Sequence, residues 1–281
     1  MPGETPAPKA SAARAPQKRT LANARPAAAD SRVPSQVGQP NPTEAHSPHV
    51  EVLRDTPVFA ALPERELAAL AAVARRDTVP SKRWIFAEGD PADWLCLVVC
   101  GRVKIVKHAH TGKEITVELL GPGEIFGGVA VIERRPYPAS AQAMEASEIA
   151  RLPGRLIITL AERYPSVIRE MALMMGRRLR TAHSSVTSLA AEPVEARLAS
   201  TILRLADREG ERTAHGLVLP FHLTRQALAD LAGTTVETTI RVMRRWIRDG
   251  LVSDRGGRLV LPKVDAVRTL AAGRRSSSAT V

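Results

Sequence analysis

Glu237 and Arg241 stand four residues apart in Thr235-Val236-Glu237-Thr238-Thr239-Ile240-Arg241-Val242-Met243-Arg244-Arg245-Trp246. On a helix that spacing puts both side chains on one face. A guanidinium can bond guanine in bidentate fashion through O6 and N7, and a carboxylate can accept from a cytosine amino group. Together the two could read neighbouring positions of one major groove. The competing reading is a solvated salt bridge, since opposite charges at this spacing pair on many ordinary helices.

Such a pair reads bases only if two helices and a turn hold it out of the protein. Thr224 can cap a first helix by accepting an orphan backbone N–H, and Ala227, Leu228 and Leu231 recur at helical spacing inside it. Gly233 permits a turn at positive φ, Thr235 offers a second cap, and Ile240, Met243 and Ile247 form the expected inward stripe of the second helix. Asp249-Gly250 ends that helix. Val236, Glu237, Thr238, Arg241, Arg244, Arg245 and Arg248 are left over from this packing. Beyond it, two short apolar runs flank Gly256-Gly257, a hairpin with Arg255 at its tip, and Leu217–Pro220 supplies another strand. The expected module is a winged helix-turn-helix.

Composition is consistent with a polyanionic partner. The chain has 281 residues, 44% hydrophobic, and a formal net charge of +11. From Glu192 onward it carries fifteen Arg or Lys against ten Asp or Glu. No apolar run reaches the roughly 18 residues of a membrane span, so a soluble, cytoplasmic protein is expected. Residues 1–49 are rich in Ala and Pro and poor in large apolar groups, the composition of a disordered tail; residues 275–281 read as a second. Cys96 and Cys100 would lie about 13 Å apart along a strand at roughly 3.3 Å per residue, too far for a disulfide, and read as buried and inert. Two thiolates do not make an iron–sulfur site in one subunit. With no nucleophile–base pairing, metal-ligand cluster or phosphate loop, the sequence gives no indication of an enzyme.

The front half changes pattern. A short helix near Glu64–Ala74 precedes Trp84–Asp90, a strand entering a turn, and then short apolar runs broken by glycine over Leu95–Val99, Gly101–Val106, Ile115–Leu120, Gly121–Gly127 and Ser140–Met144. That rhythm predicts a jelly roll able to enclose a small molecule. After Pro165, Ile168, Ala172, Met175, Leu179, Ala182, Val186 and Leu189 alternate at spacings of four and three, a heptad seam. A two-helix coiled coil between identical chains and a helix packed on its own barrel both fit it. A dimer would set two reading helices roughly 34 Å apart, as a palindromic site requires. The expected fold is α+β: a β-roll sensor over 50–164, a dimerisation helix over 165–191 and a winged helix-turn-helix over 192–274.

This order of parts, with Leu223-Thr224-Arg225-Gln226, Leu228-Ala229-Asp230, Gly233 and Val236-Glu237-Thr238 followed by Arg241, resembles the Crp/Fnr family of bacterial transcription regulators over about residues 50–272. The resemblance implies phosphate contacts from Thr224, Arg225, Gln226, Thr235, Thr238, Arg244 and Arg255, and base reading by Val236, Glu237, Ile240 and Arg241. Valine at 236 is similar to the fumarate-nitrate-regulator branch and could touch a thymine methyl. A site like TTGAT, four base pairs and ATCAA is implied, with Ile240 leaving the outer base open. RNA polymerase is an implied partner.

The sensor departs from the family's cyclic-nucleotide pattern. The ribose-binding glutamate would fall at Gly128 and the phosphate-binding arginine at Pro138, and neither can make a charge-assisted bond. Arg134 and Arg135 sit several residues away, expected in solvent. The four-cysteine oxygen-sensing cluster is missing as well. The stretch Tyr137–Ala143 looks like regulators of denitrification, some of which use haem. His183, beside the seam, and His108 and His110, flanking a hairpin turn, are the conceivable iron ligands. The expectation is a homodimeric DNA-binding regulator answering oxygen, nitric oxide, redox state or no ligand at all. The alternatives are a cyclic-nucleotide regulator with an atypical pocket, or a signal-binding module whose winged helix contacts protein.

Overall fold

Glycine turns in the front half restart short runs that stack as two sheets. In the strand Trp94–Cys100 of one sheet successive side chains enter two different cores, Leu95 and Leu97 on one face and Cys96 and Val98 on the other. The computed structural model describes residues 48–109 and 111–273; both expected tails and His110 lie outside these, apart from residues 48–49. Two helices lead in, α1 (Pro48–Asp55) and α2 (Glu64–Val73). The boundary expected at residue 50 thus falls inside one helix. Strands β1 (Arg75–Val79), β2 (Trp84–Phe86), β3 (Trp94–Cys100), β4 (Val103–His108), β5 (Glu114–Leu120) and β6 (Ile125–Phe126) follow. Helix α3 (Gly128–Glu133) interrupts before β7 (Ser140–Ala143) and β8 (Ser147–Pro153).

The sandwich pairs a β1-β8-β3-β6 sheet with a β2-β7-β4-β5 sheet, all antiparallel contacts. Cys96, Val98, Val103, Leu120, Phe126 and Ile149 fill the space between them. Two of these strands, β1 and β8, carry no glycine punctuation and were not expected from the sequence. They are nonetheless paired along the full length of β1, from Arg75↔Arg151 to Val79↔Ser147. Gly101 turns β3 into β4 at φ +79, and any side chain there would run into Ser147 and the Ala146 carbonyl.

The sequence predicts that both cysteines are buried, but the two differ from each other. Cys96 is buried, and burial pushes its thiol up to about 12. Cys100 is exposed. The β3–β8 register shifts between Val98 and Cys100, and a one-residue slip sends the next side chain to the opposite face.

Helix α4 (Gly154–Arg163) packs back on the roll and α5 (Pro165–Ala191) runs the length expected for the long helix. Proline is well placed at its first turn, where its missing N–H costs nothing. Then come α6 (Val194–Glu209), β9 (Glu211–Thr213), β10 (Gly216–His222), α7 (Arg225–Leu231), α8 (Val236–Arg248), β11 (Ser253–Arg255), β12 (Arg258–Leu261) and α9 (Val264–Ala271). Strands β11-β12-β10-β9 form the wing sheet. The fold is α+β, a β-roll joined by a long helix to a winged helix-turn-helix.

Candidate nucleic-acid interface and sensor cavity

Both helix starts form as their cap residues dictate. Thr224 Oγ1 accepts from the Ala227 amide at 3.1 Å, and Thr235 Oγ1 from the Thr238 amide at 3.2 Å. Gly233 takes φ +60 between them, and a Cβ there would collide with Leu189 at the end of α5. Arg197 of α6 braces the same turn, its Nε donating to the Ala232 carbonyl at 2.9 Å and Nη2 to that of Gly233 at 3.0 Å. Gly250 closes α8 at φ +68.

The inward stripe of α8 differs from the expected one. Thr239, Val242, Met243 and Trp246 are buried, whereas Ile240 is half-buried and Ile247 is exposed. Trp246 decides the rotation: its large ring is fully enclosed and its indole N–H donates to Glu195 Oε1 of α6 at 2.7 Å. The same Glu195 holds Arg245 at 2.5 Å, so Arg245 serves the packing after all. Arg248 pairs with its neighbour Asp249.

That rotation leaves Glu237, Arg241 and Arg244 exposed on the opposite side. Among the described residues the salt bridges include no partner for Arg241 or Arg244, and Glu237 and Arg241 do not pair with each other. Val236, Thr238 and Ile240 sit half-buried beside them. The Glu237 carboxyl is held below its usual range, first by its own backbone amide, then by the Thr235 hydroxyl and the charge of Lys113. It is therefore an ionised, acceptor-only group at neutral pH. Around this face, Gln226 donates to Asp230 at 2.7 Å and Arg225 lies 3.9 Å from Asp254 in the wing. Arg255 pairs in register with Arg258 across the wing turn, putting two cations there.

On α5, the proposed seam faces outward. Ile168 is 46% exposed, Leu179 56%, Val186 66% and Leu189 50%, while Val167 and Met171 on the other side are buried against the roll. Ala172 and Ala182 are exposed and Met175 half-buried. The helix packs on its barrel along one face and still presents an apolar stripe along another.

Gly128 and Pro138 both line one cavity in the roll, of about 170 Å³, with Phe86, Ile105, Ile125, Phe126, Met174 and Met175 among its walls. A side chain at Gly128 would crowd Leu95 and Met171, so the position expected to hold a ribose-binding carboxylate has no room for one without rearrangement. The charged residues on the wall are Glu118 of β5 and Arg178 of α5, paired at 2.9 Å. Arg178 also donates to the Ile125 carbonyl at 2.8 Å. Sequence reasoning missed this pair; its trace was a lone carboxylate inside the apolar run Ile115–Leu120. Arg134 and Arg135 are exposed, and His183 is exposed on α5 and absent from the cavity wall, as is His108, which stands 4.0 Å from Glu114. Among the described residues no cluster of His, Cys, Asp and Glu is arranged for a metal ion, and no helix is long and apolar enough to cross a membrane.

Residues 76–164 match the cyclic nucleotide-binding domain family and residues 196–270 the Crp-like helix-turn-helix domain family. The chain is 32% identical over 200 residues to the cyclic AMP receptor protein of Thermus thermophilus, covering 71% of this chain and 89% of that one. It is 26% identical over 184 residues to the transcriptional activator protein anr of Pseudomonas aeruginosa, covering 66% and 75% respectively. Among solved structures, FixK2 from Bradyrhizobium japonicum superposes with a TM-score of 0.63 at 22% identity, over 74% of this chain and 100% of that one; this last likeness concerns the fold alone.

Proposed function

Because the chain belongs to the Crp/Fnr family of transcription regulators, we propose that it acts as a homodimer on palindromic DNA in the cytoplasm, α5 forming the seam and α8 reading each half-site. The single observation behind the reading role is the exposed face of α8, where Glu237, Arg241 and Arg244 point away from the packed Val242, Met243 and Trp246. Val236, Glu237, Ile240 and Arg241 read bases; Thr224, Arg225, Gln226, Thr235, Thr238, Arg244 and Arg255 hold phosphates. The division at 50–164, 165–191 and 192–274 assigns sensing, pairing and reading to successive segments. The signal is something other than a cyclic nucleotide, or absent, because Gly128 and Pro138 offer neither the carboxylate nor the guanidinium such a ligand needs.

The test is titration of full-length protein into a labelled TTGAT-N4-ATCAA duplex and a scrambled duplex of equal length, with stoichiometry from sedimentation. Two chains per duplex are expected, with binding at least ~1000-fold tighter to the palindrome. Equal affinity for both duplexes, or one chain per duplex, overturns the proposal.

A further inference from the structure

The cavity of the β-roll, partly open to solvent, has room for one small ring. Its volume, about 170 Å³, is close to the ~150 Å³ at which an apolar protein cavity admits benzene. Larger ligands occupy pockets of roughly 300–1,000 Å³. The walls from Phe86, Ile105, Ile125, Phe126, Met174 and Met175 are apolar. Tyr137 contributes ring and not hydroxyl: it stacks on Phe86 with centroids 3.7 Å apart, and its O–H donates to the Trp94 carbonyl at 2.6 Å.

Charge selects further. Arg178 gives Nε to Glu118 and Nη2 to the Ile125 carbonyl, so its positive charge is already countered by a carboxylate at 2.9 Å. Glu118 adds a carboxylate to the same wall, and an anionic ligand would meet it in a partly desolvated space. A carboxylate has about four acceptor sites, so after pairing with Arg178 it can still accept from a donor on the ligand. Burial raises its pKa, which is consistent with that exclusion of negative charge.

We propose that this cavity binds a neutral, predominantly apolar molecule about the size of a single ring, its one hydrogen-bond donor directed at Glu118. The inference rests on the reading that the sensor half answers something other than a cyclic nucleotide. Met175 belongs both to the cavity wall and to the seam expected along α5, so an occupant touches the element that joins two copies.

The test uses full-length protein carrying 13C-methyl methionine, with phenol, benzoate and cyclic AMP as the three probes. Phenol is expected to shift the Met174 and Met175 methyl signals saturably, at least about tenfold more tightly than benzoate, a difference of about 1.4 kcal/mol. Ala139→Leu and, separately, Ile105→Phe place extra carbon in the cavity and are expected to abolish the phenol response. Silence toward phenol, a response that survives both substitutions, or benzoate binding as tightly as phenol overturns the inference alone. Cyclic AMP moving the same two methyl signals overturns the reading beneath it.

Discussion

Opposite charges four residues apart on a helix ordinarily find each other, yet Glu237 and Arg241 do not, and Arg245 finds Glu195 in α6. What separates these arginines is rotation about the helix axis, fixed by burial of Trp246. Arg241 is thus the residue whose loss should cost sequence choice. Arg241→Ala should weaken binding to the palindrome by ~1–3 kcal/mol and flatten the preference at one base position, whereas Arg225→Ala should weaken every duplex alike and reduce the salt slope by about one. Competition binding against a set of single-base variants separates the two; a uniform loss for Arg241→Ala would remove it from the base-reading set. The cysteines give a second check at this scale. Native protein should take up one equivalent of iodoacetamide, at Cys100, and a second only on denaturation, since Cys96 is buried with its thiol pushed up to about 12. Peptide mass spectrometry that found Cys96 alkylated first would contradict the fold around it. Residue roles set by local rules were legible in the sequence: the caps at Thr224 and Thr235 and the positive-φ turn at Gly233 need only near neighbours. The engagement of Arg245 was not, because Glu195 stands fifty residues upstream and only tertiary packing brings the two together.

Elements were legible in proportion to the strength of their own period. Helix α5 keeps a heptad over three repeats, and it runs from Pro165 to Ala191 as its sequence predicts. Strand β8 alternates too, but Ser147, Glu148 and Arg151 break the apolar run, and its register is set by β1 and β3 on either side. The outward stripe of α5 makes an element-scale prediction. Leu179→Asp or Val186→Asp places a carboxylate in the middle of the proposed seam, and sedimentation equilibrium should show wild-type dimers replaced by monomers; an unaltered mass would mean the stripe pairs with something else. Strand β5 makes another. Its pairing with β4 skips from Ile105↔Glu118 to Val106↔Thr116, leaving Val117 as a bulge and turning Glu118 onto the cavity wall. Burial raises the Glu118 pKa above its ordinary value, so the folded state holds that proton more tightly than the unfolded chain. Its contribution to stability is greatest below about pH 4.3 and declines as pH rises through the interval up to the folded value. Urea titrations across that interval should show the decline in wild-type protein and its loss in Glu118→Gln. Parallel curves for the two proteins would place Glu118 in a more solvated setting than this.

At the scale of the whole molecule, β5 belongs to two neighbourhoods at once. Glu118 lines the sensor cavity, while Leu119 inserts among the apolar residues of the winged helix and its carbonyl accepts from Arg208 of α6 at 2.8 Å. Beside them Arg102, nearly enclosed, lies 2.5 Å from Glu209 and 3.6 Å over the ring of Phe221. The strand is the outer member of its sheet, and such an edge leaves backbone donors without ladder partners. Asp230 of α7 covers this one: its Oδ2 accepts the Thr116 amide at 3.0 Å while Oδ1 accepts from Gln226, a proposed phosphate contact. A displacement of β5 by an occupant of the cavity therefore has a direct route to the reading head. If that amide–carboxylate bond is what fastens the two, Asp230→Ala should expose the Thr116 amide. A hydrogen bond to a charged acceptor contributes ~1.5–3 kcal/mol, so Thr116 should exchange its amide hydrogen about 10- to 100-fold faster in the variant. The Val98 amide, bonded to the Glu124 carbonyl inside the roll, should keep its wild-type rate and so report that the roll itself is intact. Equal protection of Thr116 in both proteins would show that Leu119, Arg208 and Arg102 hold the strand without Asp230, and the route from sensor to reading head would then run through them instead.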